Sequence, residues 1–588
     1  MRYIGPFFRM NSLSQKEISG QLFYLAKESV KTIVLNSKCG LLAQVRVSKK
    51  SSINDISILN NFSPLVCLYR KSSPMFVHSK STHGFDESSF KKEINPSTNA
   101  FMTLCLLELS EYYSHYNKDS RNVVSLEKAF KYLAKEQLQF FSENLRNNEG
   151  LFVDKKNTSD GNSKGFTLID KDTKFKFSDQ AFMMDAYYLY SHYNESDPSS
   201  NEYSNFSYEI LEMFKEYKDS LYDLSFTENT QIFLALNIFY KYSKNEEAQK
   251  LLLDLGDLLI SKFQERDYYS DSIDDCALFS ICLMDAYKHT EIISFKETAR
   301  EINEKLISLY DSDKNIFVKL SDKKDSKYSC TEINSYLLSL VNYSIFSDKV
   351  TELKPIISGI YKKFFVNNGL LTSWPEAPTL DEVERYKKLS LRSDDMLDET
   401  YFRMPIMPTP QSTGVAPIFV KSLSYSRKKD SLSVGRSSFD SNKNMFNFLL
   451  IIYLFKDAVE NVMEFKPNTE DLAHSDIRAI SGAKDIVDEN LDSGLNDSII
   501  KENISAVNST PILINNLNVN NKNKINDTSD LEIPETIDEI SNDPKNITLK
   551  THISANTNNK SDNNKSSKPK KYKKNKAKHP AANKKNKK

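Results

Sequence analysis

The chain has 588 residues and a formal net charge of zero, and 39% of its residues are hydrophobic, with 35 Phe and 30 Tyr. This composition predicts a large folded body. Only 14 Gly occur, and neither GxGxxG nor GxxxxGKS/T is present, which argues against glycine-rich phosphate-binding loops, so no cofactor is predicted.

Residues 1–94 form a separate leading segment. Its apolar residues recur at helical spacing from 13 to 36, while residues 41–47 fit either a strand or an extension of that helix. The cluster at 95–98, Asn-Pro-Ser-Thr, then marks a strong helix start. We expect the leading segment to pack on the body that follows or to complete it.

From residue 98 onward, apolar periodicity predicts one helix after another. The predicted helices lie at 98–117, 125–147, 178–196, 202–223, 226–243, 245–266, 272–290, 291–311, 331–346, 348–366 and 440–464, and the helix at 13–36 makes a twelfth.

Several of these helix starts share an aromatic residue, then Ser or Thr, then an acid. A Ser or Thr side chain can cap free backbone N–H groups, and an acid in the first turn faces the positive end of the helix dipole. We therefore interpret these hydroxyls as N-caps. The starts are Phe177-Ser178-Asp179, Phe226-Thr227-Glu228, Tyr269-Ser270-Asp271 with Ser272-Ile273-Asp274 behind it, and Tyr328-Ser329-Cys330-Thr331-Glu332.

The helix starts recur about every 45 to 60 residues, which indicates one helical hairpin per repeat. Such hairpins build either an open solenoid or a closed ring. The repeat lengths are irregular, and residues 367–439 form a long interruption with several Pro and the single Trp374. Solenoids keep a tighter period, and long loops commonly shape a site at one end of a closed structure. We therefore predict an all-α closed ring over residues 95–465.

Residues 177–190, FSDQAFMMDAYYLY, resemble the inner helices of the six-hairpin (α/α) toroid superfamily. That superfamily includes many glycoside hydrolases, polysaccharide lyases and sugar epimerases. The resemblance covers roughly residues 95–465 and implies an (α/α)6-type toroid. It also suggests carbohydrate chemistry, although no signature of an individual enzyme family is matched.

In a closed toroid the inner helices run parallel, so their first turns gather at one mouth. Paired carboxylates there suit general acid/base chemistry on a glycosidic bond or a sugar carbon. Each acid is alternatively an ordinary first-turn residue facing the helix dipole. The predicted catalytic residues are Asp179, Asp274, Glu332 and Glu376, and the predicted substrate-binding residues are Trp374, Asp275, Glu228 and Arg392.

Trp374 has two interpretations. Its ring either stacks on a sugar beside Glu376, or it fills the core beneath a loop. No metal site is predicted.

After about residue 465 the apolar periodicity fades, which predicts a disordered tail. Residues 466–541 carry fifteen acids and six bases, whereas residues 560–588 carry thirteen Lys and one Asp. A dense Lys cluster attracts polyanions through counterion release. The predicted polyanion-binding residues are Lys570, Lys571, Lys573, Lys574 and Lys576.

Two functional hypotheses follow. The first is a carbohydrate-active or carbohydrate-binding toroid with a sugar at the mouth of the ring. The alternative is a non-catalytic scaffold whose Lys-rich tail tethers it to a polyanion, a nucleic acid or an anionic surface. Six cysteines without a regular framework, and no evident secretory signal, predict a cytoplasmic protein.

Overall fold

A computed structural model describes residues 9–10, 14–45, 55–72, 76–79, 82–85, 90–115, 121–159, 165–171, 174–270, 272–319, 325–347, 349–375, 404–405, 416–435 and 439–461. Its α-helices, in chain order, are α1 (Gln15–Asn36), α2 (Pro96–Ser114), α3 (Arg121–Asn144), α4 (Phe177–Tyr193), α5 (Ser200–Glu216), α6 (Lys218–Tyr222), α7 (Phe226–Ser243), α8 (Glu246–Gln264), α9 (Ile273–Thr290), α10 (Ile293–Ser308), α11 (Cys330–Phe346), α12 (Val350–Ile360) and α13 (Ser441–Asn461).

The helices predicted from periodicity are confirmed, with two differences. The helix expected at 202–223 is divided into α5 and α6 at Tyr217. The helix expected at 348–366 continues past α12 as a π-helical segment, Tyr361–Asn367, which follows the internal Pro355.

Six helices form a closed inner ring. In the order α2, α4, α7, α9, α11 and α13, each packs against the next, and α13 packs back against α2. The ring therefore has no free end, which excludes the open solenoid and confirms the (α/α)6-type toroid.

Each inner helix has an outer partner. The helices α3, α5, α8, α10 and α12 pack on α2, α4, α7, α9 and α11, each directly after its partner in the chain. The sixth hairpin is different, because α1 from the N-terminal segment packs on α13 from the other end of the described chain. The toroid is thus completed by the leading segment.

Aromatic packing fills the junctions between neighbouring inner helices. The Phe101 ring on α2 lies 4.7 Å from the Phe182 ring on α4 and 5.5 Å from the Phe446 ring on α13, measured between ring centroids. On the next junction, Tyr188 of α4 lies 4.7 Å from Phe239 of α7. One ring on α2 therefore contacts both neighbours and ties the closure point to the rest of the core.

Short strands lie in the segments outside the helices, and more of them occur than we predicted. They are β1 (Arg9–Met10), β2 (Gly40–Leu42), β3 (Leu65–Leu68), β4 (Lys71–Ser72), β5 (Phe76–Ser79), β6 (Thr82–Phe85), β7 (Phe90–Lys91), β8 (Glu93–Ile94), β9 (Lys155–Asn157), β10 (Leu168–Asp170), β11 (Tyr310–Asp311), β12 (Ile316–Phe317), β13 (Asp325–Ser329), β14 (Met404–Pro405), β15 (Ser422–Ser426), β16 (Ser431–Val434) and β17 (Phe439–Asp440).

One of these sheets positions the candidate site. In the order β13-β15-β16, its three strands are antiparallel, and β13 runs directly into α11. The Cys330 N–H at the start of α11 donates to the Lys421 carbonyl, 3.2 Å away, just before β15. The end of the long segment 367–439 therefore packs against the ring and supports the start of α11.

The C-terminal ends of the inner helices are joined by a buried polar network. The Glu108 carboxylate on α2 is 1% exposed and lies 2.6 Å from the Lys456 ammonium on α13. It also accepts hydrogen bonds from the Tyr193 hydroxyl on α4 (3.2 Å) and the Tyr242 hydroxyl on α7 (2.6 Å). Lys456 holds the pKa of Glu108 below its usual value although burial opposes this. Four inner helices are therefore tied together at this end.

Candidate functional site

The opposite end of the ring, formed by the N-terminal first turns of the inner helices, is called the rim. Successive helices there are joined by hydrogen bonds from a hydroxyl to an acid. The Ser97 hydroxyl and N–H on α2 both donate to the Asp179 carboxylate on α4. The Ser178 hydroxyl (3.2 Å) and N–H (3.3 Å) on α4 donate to the Glu228 carboxylate on α7.

The same bond recurs at the third junction, where the Thr227 hydroxyl on α7 donates to the Asp275 carboxylate on α9, 2.8 Å away. In all three cases the hydroxyl is on the second residue of one helix and the acid is the third residue of the next. The closing junction keeps this register, because the Asn442 amide on α13 donates to the Thr98 hydroxyl on α2 at 2.9 Å. We call the hydrogen bonds at these four junctions the rim belt.

The rim belt corrects the interpretation of the hydroxyls as N-caps. Ser178 and Thr227 lie inside their helices and bond to the next helix, and α4 has no side-chain cap. Ser225, two positions before Thr227, caps α7, whereas Ser329 caps α11 as predicted. For Asp179, Glu228 and Asp275, catalysis and substrate binding stay predictions, and the observed contacts are those of the belt.

The register of the belt places two carboxyl groups together at the α9–α11 junction. The second residue of α9 is Asp274, where a hydroxyl donor stands in α2, α4 and α7. The third residue of α11 is Glu332, which is the acid position. A carboxylate has no proton to donate, so the two groups repel, and Asp274 raises the pKa of Glu332.

Glu332 is held firmly. It is 5% exposed, its Oε2 accepts the Ser329 N–H at 3.2 Å, and the Ser329 hydroxyl accepts the Glu332 N–H at 3.0 Å. Lys319 Nζ lies 2.6 Å from Glu332 Oε1. An ion pair that close lowers a carboxyl pKa, yet burial outweighs it, and the pKa of Glu332 is raised above its ordinary value.

Asp274 differs from Glu332 in environment. Its side chain is half-buried. Within the described part of the chain, no hydrogen bond to its carboxylate is found, whereas the neighbouring Asp275 carboxylate accepts the Thr227 hydroxyl. The junction therefore combines a deeply buried carboxyl of raised pKa with a more accessible carboxylate, and such differences between neighbouring acids separate a proton donor from a base.

The next junction, α11–α13, does not follow the belt register either. Thr331 is the second residue of α11, but the third residue of α13 is Lys443, not an acid. The contact here runs instead from the Asn447 amide to the Cys330 sulfur, 3.8 Å away. The rim belt is thus broken on both sides of α11, next to the sheet β13-β15-β16.

Asp179 has a second acid near it that sequence reasoning missed. Burial raises the pKa of Asp179 to about 6, Ser97 opposes this through its hydrogen bonds, and Asp154 adds to the rise. Asp154 itself accepts the Asn95 amide at 2.8 Å and lies 3.9 Å from Arg70. No helix-start motif contains Asp154, so the pattern used to find the rim acids did not signal it.

Trp374 lies inside the protein, not at an open mouth. It is 6% exposed, and its ring packs edge-on to Tyr361 with 6.4 Å between centroids. A sugar platform needs an accessible ring face, so this conformation matches the interpretation of Trp374 as a core residue. The predicted residues Glu376 and Arg392, and the Lys-rich cluster Lys570, Lys571, Lys573, Lys574 and Lys576, lie outside the described residues.

Neither a cluster of metal-binding side chains nor a membrane-spanning helix occurs among the described residues. No group of three or more His, Cys, Asp or Glu side chains is arranged to hold a metal ion there. Among the helices described, none is long and apolar enough to cross a membrane.

The closed ring of six hairpins makes this chain an (α/α)6 toroid protein. No protein-family model and no curated protein matches it. Among solved structures, it is similar to an endoglucanase from the termite Nasutitermes takasagoensis, with 12% identity and a TM-score of 0.42 over 76% of this chain and 99% of that one.

Two further solved structures are similar to a comparable degree. A GH76 α-mannanase from Bacteroides thetaiotaomicron has 9% identity and a TM-score of 0.35, over 63% of this chain and 90% of that one. The cellobiose 2-epimerase of Bacillus thermoamylovorans has 9% identity and a TM-score of 0.38, over 62% of this chain and 88% of that one. Because these scores are low, the toroid assignment rests on the helix contacts of this chain, and no activity is transferred.

Proposed function

We propose that this toroid is carbohydrate-active and binds its sugar ligand at the rim, in the sector of Asp274 and Glu332. The observation that carries the proposal is the break in the rim belt. At three junctions an acid accepts a hydrogen bond that joins two helices. At the α9–α11 junction, by contrast, an acid occupies the donor position as well as the acceptor position. This arrangement costs stability at the junction, and such costs are typical of sites that perform chemistry.

The two acids have different roles. Glu332, whose pKa is raised by burial, is the general acid and donates a proton to the oxygen of the bond that breaks. Asp274, half-buried and without a hydrogen-bonded partner in the described part, acts as the base toward water or toward a sugar carbon. Glu332 loses its proton to the leaving group, and Asp274 gains one from water or from the sugar carbon. Transfer of that proton from Asp274 to Glu332, directly or through solvent, restores the pair after each turnover.

Lys319 is a positioning residue in this scheme. It holds the Glu332 carboxyl through its ammonium, and the Lys319 Nζ also donates to the Lys327 carbonyl at 2.6 Å. Because Lys327 is on β13, the sheet that leads into α11 fixes the Lys319 side chain. The ion pair opposes the rise in the pKa of Glu332 that burial causes.

The first experiment is a substrate screen with the full chain. Aryl glycosides of hexoses, hexosamines and uronic acids are assayed for release of the aryl group, and a matching set of oligosaccharides is analysed by NMR for hydrolysis, elimination or epimerisation. For any substrate found, Asp274→Asn and Glu332→Gln are expected to lower kcat/KM by about 10²- to 10⁴-fold.

Asp275→Asn is the matched control. It lies beside Asp274 on the same turn, but its carboxylate is bonded to Thr227. In this proposal Asp275 joins two helices and does not bind substrate, so we expect this variant to lose some stability and to retain activity within a few-fold. Equal losses in all three variants, or full activity in Glu332→Gln, would overturn the assignment of the pair. A chain that neither converts nor binds any member of the panel overturns the carbohydrate function itself.

A further inference from the structure

Two neighbouring hairpin tips carry an exposed apolar surface at the end of the ring opposite the rim. Ile292 and Ile293 lie between α9 and α10 and are 37% and 65% exposed. Ile345 and Val350 lie at the tip between α11 and α12 and are 56% and 48% exposed. We call these four residues the tip patch. Four of the nine large apolar side chains exposed in the described part therefore lie on two adjacent tips.

The contacts between these tips place them side by side. Lys288, in the last turn of α9, lies 4.8 Å above the ring of Phe346, which follows Ile345. Lys349, at the second tip, lies 3.3 Å from Glu304 on α10. The contact of Lys288 with Phe346 thus joins the two tips, and the ion pair of Lys349 with Glu304 joins the second tip to the body of α10.

The end of the last inner helix lies close to this patch. Asp457 on α13 lies 3.0 Å from Lys241 on α7, and Lys288 also lowers the pKa of Asp457. Lys288 therefore lies within electrostatic range of the end of α13 and also against Phe346 of the second tip. Since α13 ends at Asn461, one turn later, the chain that follows leaves the toroid beside the patch.

We propose that residues 476–487 of this chain dock on the tip patch. Their sequence, DIRAISGAKDIV, is the nearest segment after α13 in which apolar residues return at helical spacing. Ile477, Ile480, Ala483 and Val487 recur at intervals of three, three and four residues. This spacing forms one apolar face that matches the tip patch.

The reach of the segment fits this occupant. The fifteen residues from 462 to 476 span up to about 50 Å when extended, which is ample for an adjacent patch. The segment itself has two acids and two bases, so its docking would rest on its apolar face and not on net charge. A tethered segment also has an effective concentration in the millimolar range, which favours it over a separate partner.

The test uses selective thiol labelling of the full chain. All six native cysteines are buried, so a new surface cysteine is labelled without competition. Ile293→Cys is compared in the parental tail and in a tail that carries Ile477→Asp and Ile480→Asp. We expect labelling at position 293 to be several-fold slower with the parental tail, and a peptide of residues 470–490 to restore protection to the altered chain.

Val434→Cys is the matched control. Val434 is 48% exposed on β16, at the rim end of the ring, and its labelling rate should not depend on the tail. Equal labelling of Ile293→Cys with both tails overturns the proposal. Protection that grows with protein concentration would assign the tip patch to a second copy of the chain and would equally overturn it.

Discussion

Burial raises the pKa of Glu332, and Asp274 adds to this rise across the α9–α11 junction. At each of the three preceding junctions the corresponding position instead holds a hydroxyl that donates to an acid. The same register that stabilises most of the rim thus produces repulsion at one junction. The first prediction follows from restoring the missing donor.

Asp274→Thr is expected to repair the belt. The new hydroxyl would donate to Glu332, and the loss of the like charge would lower the pKa of Glu332 toward its ordinary value. We expect the free energy of unfolding to rise by about 0.5–1.5 kcal/mol while any activity is lost. Urea denaturation measures the stability, and a less stable Asp274→Thr variant would contradict the belt register.

Ser97→Ala is expected to weaken the belt at its most buried bond. The Ser97 side chain is 6% exposed and the Asp179 carboxylate 3% exposed, so the carboxylate loses a donor that water cannot replace. The expected cost is about 1–3 kcal/mol of unfolding free energy. Ser220→Ala, at an exposed position on α6, is the control and should change stability by less than about 0.5 kcal/mol.

Asp179→Asn should change the pH dependence of stability. The pKa of Asp179 is raised from 3.8 to about 6 in the folded protein, so the folded state binds this proton more tightly than the unfolded state. Its contribution to stability is therefore present below about pH 4 and is lost as the pH rises through about 6. Asn is neutral and keeps an acceptor oxygen for Ser97.

The Asn variant is accordingly expected to be more stable than the parent at pH 7, by up to about 3 kcal/mol, with the difference vanishing toward pH 4. Chemical denaturation at several pH values measures this difference. Asp179→Ala is the control, since it removes the acceptor at every pH and should be less stable than Asp179→Asn throughout. A pH-independent gap between Asn and parent would show that burial does not set this pKa.

Lys456→Met should be strongly destabilising. It leaves the Glu108 carboxylate charged and buried, with only two tyrosine hydroxyls as donors. Removing one partner of a buried ion pair typically costs about 3–5 kcal/mol. Lys250→Met, which breaks an exposed pair with Glu247, should leave the free energy of unfolding close to that of the parent. Adding Glu108→Gln to Lys456→Met should recover part of the loss, and its failure to do so would assign the cost to packing.

The Lys-rich segment predicts binding that depends on salt. The full chain is expected to bind heparin or duplex DNA with an affinity that falls linearly with salt on logarithmic axes, and a chain ending at residue 559 should lose most of it. Replacing Lys570, Lys571, Lys573, Lys574 and Lys576 by Ser should make the slope shallower. Binding that is insensitive to salt would contradict the tethering hypothesis.

The helices and the location of the rim acids were predictable because both depend on local sequence. Apolar periodicity reports which face of a helix is buried, and an acid after Ser or Thr reports a helix start. The same local pattern cannot distinguish a hydroxyl that caps its own helix from one that donates to the next helix. Ser178 and Thr227 were therefore assigned to the wrong bond.

The other features that were missed depend on contacts between distant segments. Glu108 and Lys456 are 348 positions apart, and neither lies in a motif that indicates burial of a charge. Asp154 reaches the rim from an irregular segment between α3 and β9. In each case the fold, not the neighbouring residues in sequence, creates the environment that shifts the pKa.

The sixth hairpin pairs α1 with α13, so its two halves come from opposite ends of the described chain. During translation, α1 and the five other hairpins leave the ribosome while the place of α13 is still empty. The apolar flanks of α2 and α11 remain uncovered for that interval. A nascent chain of this topology is expected to depend on rapid completion or on chaperone protection, since contacts between remote segments form late.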